Sequence, residues 1–150
     1  EISNSFNNGM EFFSSFGGNP VSCAIGNAVL EVLEEEELPK KALHVGEFLK
    51  QELKFLQKQH IELADIRGEG LFLGVEILDS DGHPETNLAS IIKNELRSKF
   101  ILISTDGPYD NVLKIKPPLF FSKENARQLV YEIDEILKKT KKINTFKINK

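Results

Sequence analysis

The sequence contains a single cysteine, Cys23, among its 150 residues. One cysteine cannot form an internal disulfide, and it excludes a zinc site built from several cysteines. No apolar run approaches the ~18 residues that indicate a membrane-spanning helix, and residues 1–8 lack the basic and then apolar order of a signal peptide. We therefore expect a soluble protein of a reducing compartment, the cytoplasm, with no membrane partner.

The chain also lacks a strong excess of either charge. Nineteen Lys and Arg residues stand against 23 Asp and Glu residues, for a net charge of −4. This balance argues against nucleic acid as a partner, and the lysines at 140–150 are expected to be solvated. Hydrophobic residues make up 40% of the sequence, which is typical of a folded domain. The length fits one domain or one lobe of a larger one.

Apolar residues recur at three- and four-residue spacing, which predicts helices. The first helix begins at Asn19-Pro20, a favoured N-cap followed by proline at the first helical position, and runs to about Glu37. Leu38-Pro39 starts a second helix. A third is predicted over 88–96, and Ser122 caps a last helix that ends near residue 137.

Period-2 alternation at 71–78 predicts a strand, and a strand at 112–115 ends where Pro117-Pro118 cannot donate to a ladder. The continuous apolar run Phe100–Ile103 predicts a buried strand. Gly68 and Gly70 precede a strand, which contains Gly74, and no helix begins there, so this spacing indicates a tight turn and not a dinucleotide loop. The whole predicts an α+β two-layer domain, a mostly antiparallel sheet packed with helices.

Few residues suggest chemistry on their own. The loop Ser14–Pro20 offers hydroxyls and glycines at a helix start, where an anion is favoured, although an ordinary capped loop is the simpler interpretation. Lys114 and Lys116 share one face of their strand and could meet an acidic ligand, or could be solvated. His44, His60 and His83 share no metal-ligand spacing. We predict no metal site and no catalytic residue in this chain.

Three motifs, in this order along the chain, carry a family resemblance. They are residues 16–24 (FGGNPVSCA), 66–74 (IRGEGLFLG) and 113–119 (LKIKPPL). Over Met10 to about Leu137, the chain resembles the C-terminal domain of class III aminotransferases, which depend on pyridoxal phosphate. The resemblance implies the small C-terminal domain of fold type I enzymes at 20–139. Residues 1–19 would be an interdomain and active-site loop, and 140–150 a frayed tail.

Residues 104–108 (STDGP) and 111–118 (NVLKIKPP) resemble the phospho-lyase branch of this family. Most aminotransferases of the family have Arg where Lys114 stands, and that Arg clamps the substrate carboxylate. Lysine is a point charge without the planar fork of arginine. The resemblance therefore implies that Lys114 binds a differently placed anion of the substrate, such as a phosphate.

The resemblance also implies partners for this chain. Ser15 stands where the family usually has Thr, whose hydroxyl reaches the cofactor phosphate of the neighbouring subunit of a homodimer, and Phe16 lies beside it. The lysine that holds pyridoxal phosphate covalently would precede residue 1, in a large N-terminal domain. The 150 residues alone are therefore expected to be inactive and to bind no cofactor stably.

The function that these observations favour is that of a phospho-lyase, which eliminates phosphate from a small phosphorylated amine or amino acid. One alternative is an ordinary class III transaminase, which moves an amino group to a keto acid. The other is a non-catalytic assembly module that keeps the fold. The exposed aromatic residues predicted at Phe12, Phe13 and Phe16 suit an interface in each case.

Overall fold

The structure, a computed structural model, describes the backbone of residues 2–148 and the side chains of residues 3–142. Two compact units divide the chain, Glu1–Glu37 and Leu38–Lys150. The elements of the first unit are α1 (Ile2–Phe6) and α2 (Pro20–Glu35). Those of the second are α3 (Leu38–Gln57), β1 (Leu63–Glu69), β2 (Phe72–Ile77), α4 (Thr86–Ser98), β3 (Ser104–Asp106), β4 (Val112–Ile115) and α5 (Lys123–Ile148).

The start of α2 is confirmed as predicted. The Asn19 side chain accepts hydrogen bonds from the amides of Val21 and Ser22, and Pro20 occupies the first helical position. The helix ends at Glu35, close to the predicted end at Glu37. Its apolar side is uncovered, since none of its residues is buried and Ile25 is 61% exposed.

The second unit is built on a four-stranded sheet with the order β1-β2-β4-β3, in which every neighbouring pair is antiparallel. Strand β2 alternates between the two faces of the sheet, as its period-2 pattern predicts. Leu73, Val75 and Ile77 point to the buried side together with Leu113 and Ile115 of β4. This confirms the predicted α+β fold with an antiparallel sheet.

Helices α3, α4 and α5 cover that apolar face and complete the second layer. They contribute fully or almost fully buried side chains to one core, among them Leu49, Leu53, Ile92, Leu96, Ile133 and Leu137. Helix α5 begins with a reciprocal cap, because Ser122 Oγ accepts from the Asn125 amide and Asn125 Oδ1 accepts from the Ser122 amide. The three helices leave the opposite face of the sheet uncovered.

The prediction of a buried strand at Phe100–Ile103 is wrong. Phe100 has a φ of 61° and is 98% exposed, and Leu102 is 81% exposed. A positive φ interrupts extended backbone, and only Ile101 and Ile103 of this run pack against the core. The run thus has two side chains toward the core and two toward solvent, and the strand β3 begins just after it.

The ends of two other elements refine the predictions. The glycine-rich motif is the tight turn between β1 and β2, where Gly70 has a φ of 54°. Helix α5 continues past the predicted end near residue 137, to Ile148. Within the described residues no helix has the length and apolar character needed to cross a membrane.

Candidate functional site

The open face of the sheet presents Lys114. Its neighbours on β4, Leu113 and Ile115, are buried on the helical side, so the alternation of the strand turns Lys114 the other way. Lys114 Nζ lies 2.6 Å from Asp106 Oδ2 on β3. Lys114 is directly opposite Ser104, so Asp106 is its diagonal neighbour on the adjacent strand.

A second contact holds the Asp106 carboxylate. Its Oδ1 accepts a hydrogen bond of 2.8 Å from the amide of Gly107, which follows in the turn with a φ of 86°. The hydrogen bond from Lys114 lowers the pKa of Asp106, and the Gly107 amide lowers it further. Asp106 is therefore charged in the folded protein at neutral pH, and the pair with Lys114 has no net charge.

The other cation of this face is Arg67 on β1. Its Nη1 donates to Asp65 Oδ2 at 2.7 Å and to Glu76 Oε2 at 2.9 Å. The hydrogen bond to Asp65, and then that to Glu76, raises the pKa of Arg67. Arg67 is therefore engaged by two carboxylates before any ligand arrives.

These groups line an open groove of about 530 Å³ on the sheet, here called the sheet groove. Its lining includes Arg67, Phe72, Gly74, Asp106, Gly107 and Lys114. Gly74 lies between Arg67 and Lys114 in the strand register. A Cβ at this position would come within 3.2 Å of Val112, so glycine keeps the floor of the groove low. The groove has the size and charged rim of a site for a small polar ligand.

The loop before α2 has a different character. Ser15 is exposed, and Phe16 is 89% exposed, as are the neighbouring Phe12 and Phe13 to 75% and 86%. Exposure of these three aromatic side chains was predicted. The Ser14 hydroxyl accepts a hydrogen bond from the Gly17 amide at 3.1 Å, which closes the loop on itself.

The amides at the start of α2 are already used. Val21 and Ser22 donate to Asn19 Oδ1, the Cys23 amide donates to the Asn19 carbonyl, and Pro20 has no N–H. The predicted N-cap at Asn19 is therefore confirmed. A phosphate in this region would depend on the side-chain hydroxyl of Ser15 and on loop backbone rather than on the helix terminus.

The structure places the three histidines apart. His44 and His83 are exposed, whereas His60 is 3% exposed, and its Nε2 lies 2.7 Å from Asp134 Oδ1. His60 and Asp134 are 74 residues apart in the sequence, so no local sequence pattern predicts their contact. His60 follows α3, and its contact with Asp134 joins that segment to α5.

One turn brings together possible metal ligands. Single atoms of Asp79, Asp81 and His83 lie within 4.8 Å of one another. Asp79 Oδ1 accepts from the backbone amides of Asp81 and His83, and the His83 amide is the main cause that lowers the pKa of Asp79. These bonds explain the cluster as an Asx-type turn.

The partner of Lys114 was not predicted. Asp106 opens the turn signal Asp106-Gly107-Pro108, and it lies at the end of β3, eight positions before Lys114. The turn signal and the spacing together could have placed the two residues on adjacent strands. The sequence does not predict the diagonal register, which brings the side chains of Lys114 and Asp106 into contact.

The mixed helix and antiparallel-sheet fold of this chain is that of a known protein family. The sequence profile of the family described as "Aminotransferase class-III" matches residues 1–137. The chain belongs to this family. The resemblance stated from the three motifs is therefore confirmed.

Individual proteins of this family are also similar to the chain. The chain is 41% identical to "Alanine--glyoxylate aminotransferase 2-like" of Drosophila melanogaster over 91% of its length and 28% of that protein. It is 38% identical to "Ethanolamine-phosphate phospho-lyase homolog 1" of Caenorhabditis elegans, over 91% of its length and 30% of that protein. The chain thus spans less than a third of either relative.

A solved structure agrees with these relatives. A phospholyase from Arthrobacter in complex with phosphoethanolamine superposes with a TM-score of 0.84 at 37% identity, covering 91% of this chain and 33% of that one. The likeness to the phospho-lyase branch predicted from residues 104–118 is confirmed at the level of sequence and fold.

Proposed function

We propose that this chain is the small C-terminal domain of a pyridoxal-phosphate-dependent phospho-lyase, which removes phosphate from a small phosphorylated amine. The observation that supports this most is Lys114 in the sheet groove, a lysine where most aminotransferases of the family have an arginine. A lysine already paired with Asp106 is a poor carboxylate clamp, because it lacks the two-pronged donor geometry. The phospholyase relative bound to phosphoethanolamine points the same way.

In the proposed reaction, a phosphorylated amine and water give an aldehyde, ammonia and inorganic phosphate. The carbon next to the amine loses a proton, and the bond between the adjacent carbon and the phosphate oxygen breaks. Pyridoxal phosphate, when bound, supplies the electron sink that makes this proton loss feasible. Lys114 contributes by binding and orienting the anionic end of the substrate.

The residues of the first unit fit a peripheral contact with that cofactor. Ser15 offers an exposed hydroxyl, which retains the hydrogen-bond donor that the family usually supplies with Thr. Gly18 has a φ of 72° and open space on its Cβ side, so a ligand can approach the backbone closely. We assign Ser15 to the cofactor phosphate of the neighbouring subunit, with Phe16 beside it.

The proposal implies a larger protein. The lysine that binds the cofactor covalently would lie in an N-terminal large domain, and two copies would form a homodimer in the cytoplasm. The 150 residues alone would then show no turnover and no stable cofactor binding. The share of the relatives that the chain spans, 28% and 30%, is consistent with this division.

The second candidate is a transaminase that passes the amino group to a keto acid. The relative from Drosophila melanogaster carries an aminotransferase name and supports this alternative. Its first step, proton loss next to the amine, is shared with the lyase, so this domain separates the two reactions poorly. The third candidate, a non-catalytic assembly module, predicts no longer parent chain.

Release of phosphate distinguishes the candidates. The full-length protein is incubated with phosphoethanolamine, and inorganic phosphate, ammonia and aldehyde are measured in parallel with amino transfer to a keto acid. Equal amounts of phosphate and ammonia support the lyase. Amino transfer without phosphate supports the transaminase, and neither product from a cofactor-loaded, folded protein contradicts both.

A further inference from the structure

The ion pair in the sheet groove restricts which anions Lys114 can bind. Its ammonium group lies 2.6 Å from Asp106 Oδ2, and the two side chains are 36% and 58% exposed. A ligand that needs Lys114 must therefore compete with a carboxylate that is tethered beside it. The tethered group has the advantage, because it needs no association from solution.

The outcome of this competition depends on the charge of the ligand. Exchange of the Asp106 carboxylate for a substrate carboxylate replaces one single charge by another and gains no Coulomb energy. A phosphate group with two negative charges is attracted to the same ammonium more strongly and offers three acceptor oxygens. Such a dianion still binds where a carboxylate does not.

The geometry also allows Asp106 to give up Lys114. Gly107 donates to the other carboxylate oxygen at 2.8 Å, and the side chain is more than half exposed. The released carboxylate therefore keeps one protein hydrogen bond and is hydrated by solvent. Arg67 is a weaker partner for an incoming anion, because it already donates hydrogen bonds to both Asp65 and Glu76.

We propose that Asp106 is a specificity-determining residue: its carboxylate occupies Lys114 and sets a threshold that doubly charged phosphates pass and singly charged carboxylates do not. This inference rests on the proposed function, which places the substrate in the sheet groove. It assigns to the site amines that carry a phosphate, and it excludes those that carry only a carboxylate at the same position.

The test compares three amines that carry no phosphate ester to eliminate, on the full-length, cofactor-loaded protein. Propylamine, β-alanine and 2-aminoethylphosphonate present a methyl, a carboxylate and a phosphonate at the same distance from the amine. Dissociation constants are measured by calorimetry at mildly alkaline pH, where the phosphonate is doubly charged. The wild type should bind the phosphonate most tightly and show no preference for β-alanine over propylamine.

Variants then separate the two residues. Asp106→Asn keeps the shape of the side chain and should tighten β-alanine binding about tenfold, the scale of one charge-assisted hydrogen bond, without a change for propylamine. Lys114→Met should reduce the affinity for the phosphonate to that for propylamine. In the double variant the gain for β-alanine should be absent. Asp110→Asn, which removes an equal charge from the loop that follows β3, is the control and should change none of the three affinities.

Two results would overturn the role of Asp106: an unchanged affinity of Asp106→Asn for β-alanine, or a gain that persists in the Lys114→Met background. Phosphate release from phosphoethanolamine reports separately on the proposed function. Release with unchanged ligand affinities refutes the threshold alone. The expected affinities without release refute the phospho-lyase and keep the charge selection. Circular dichroism of each variant verifies that it is folded.

Discussion

Gly46 of α3 packs directly against the carbonyl group of Gly70 in the turn between β1 and β2. A Cβ at position 46 would overlap the Gly70 carbonyl, so this crossing of helix and turn has no room for a side chain unless the backbone shifts. Lys50, one turn further along α3, donates to the Gly68 carbonyl at 3.0 Å and ties the helix to the same turn. The close approach fixes the hairpin that carries Arg67 and Gly74 into the sheet groove.

The first prediction concerns this contact. Gly46→Ala should destabilise the domain by about 1–3 kcal/mol, because the helix or the turn must shift to admit the methyl group. The control is Gly26→Ala in α2, where a Cβ meets open space and where alanine should favour the helix by about 0.5–1 kcal/mol. Denaturant unfolding followed by circular dichroism measures both. Equal effects of the two substitutions would contradict the close packing.

The second prediction concerns the Asp106 carboxyl. Because Lys114 lowers its pKa, Asp106 contributes stability that is present above its unfolded pKa and is lost as the pH falls through the lower, folded pKa. In Lys114→Met the pKa should rise toward its usual value near 3.8, while the Gly107 amide keeps it somewhat lower. Carbon-detected NMR titration of the aspartate carboxyls measures the change, and an unmoved Asp106 titration would show that the ion pair is absent in solution.

The third prediction concerns the pair of His60 and Asp134. Burial alone would raise the pKa of Asp134, but hydrogen bonds from Lys138 and His60 lower it. Asp134→Asn should cost about 1–2 kcal/mol at neutral pH, since the bond to a buried ring becomes a neutral one. The cost should shrink as the pH falls through the folded pKa, where the wild-type carboxylate is protonated too.

Glu135→Gln is the matched control for that variant. Glu135 is next to Asp134 on α5 and also contacts Lys138, at 3.3 Å, but its side chain is 48% exposed. An exposed pair of this kind contributes about 0.2–1 kcal/mol at most. A loss in Glu135→Gln as large as in Asp134→Asn would indicate that only the general charge of α5 matters.

The fourth prediction concerns the loop before α2. In the full-length protein, Ser15→Ala should weaken binding of pyridoxal phosphate by about 3- to 10-fold, as expected for loss of one hydrogen bond. Ser14→Ala, which removes the acceptor of the Gly17 amide, should leave it less changed. Fluorescence titration of the apoprotein with the cofactor gives the dissociation constants. An equal loss of cofactor affinity in both variants would indicate that the loop conformation, and not the Ser15 hydroxyl, causes the effect.

Local patterns along the chain predicted much of the fold. Asn19-Pro20, the alternation at 71–78 and the cap at Ser122 each depend on neighbours within a few residues, and the structure has all three. The prediction failed at Phe100–Ile103, where hydrophobicity is high on both sides of the chain but only one side meets the core. Composition cannot distinguish those two sides.

The sequence by itself determined the helices α2 to α5, the strands β2 and β4 and the family of the chain, because these follow from local spacing and from motifs. Only the tertiary structure decided that Lys114 meets Asp106, that Arg67 is shared by Asp65 and Glu76, and that His60 is buried against Asp134. These contacts depend on strand register and helix packing. A shift of one residue in either would turn the same side chains to another face.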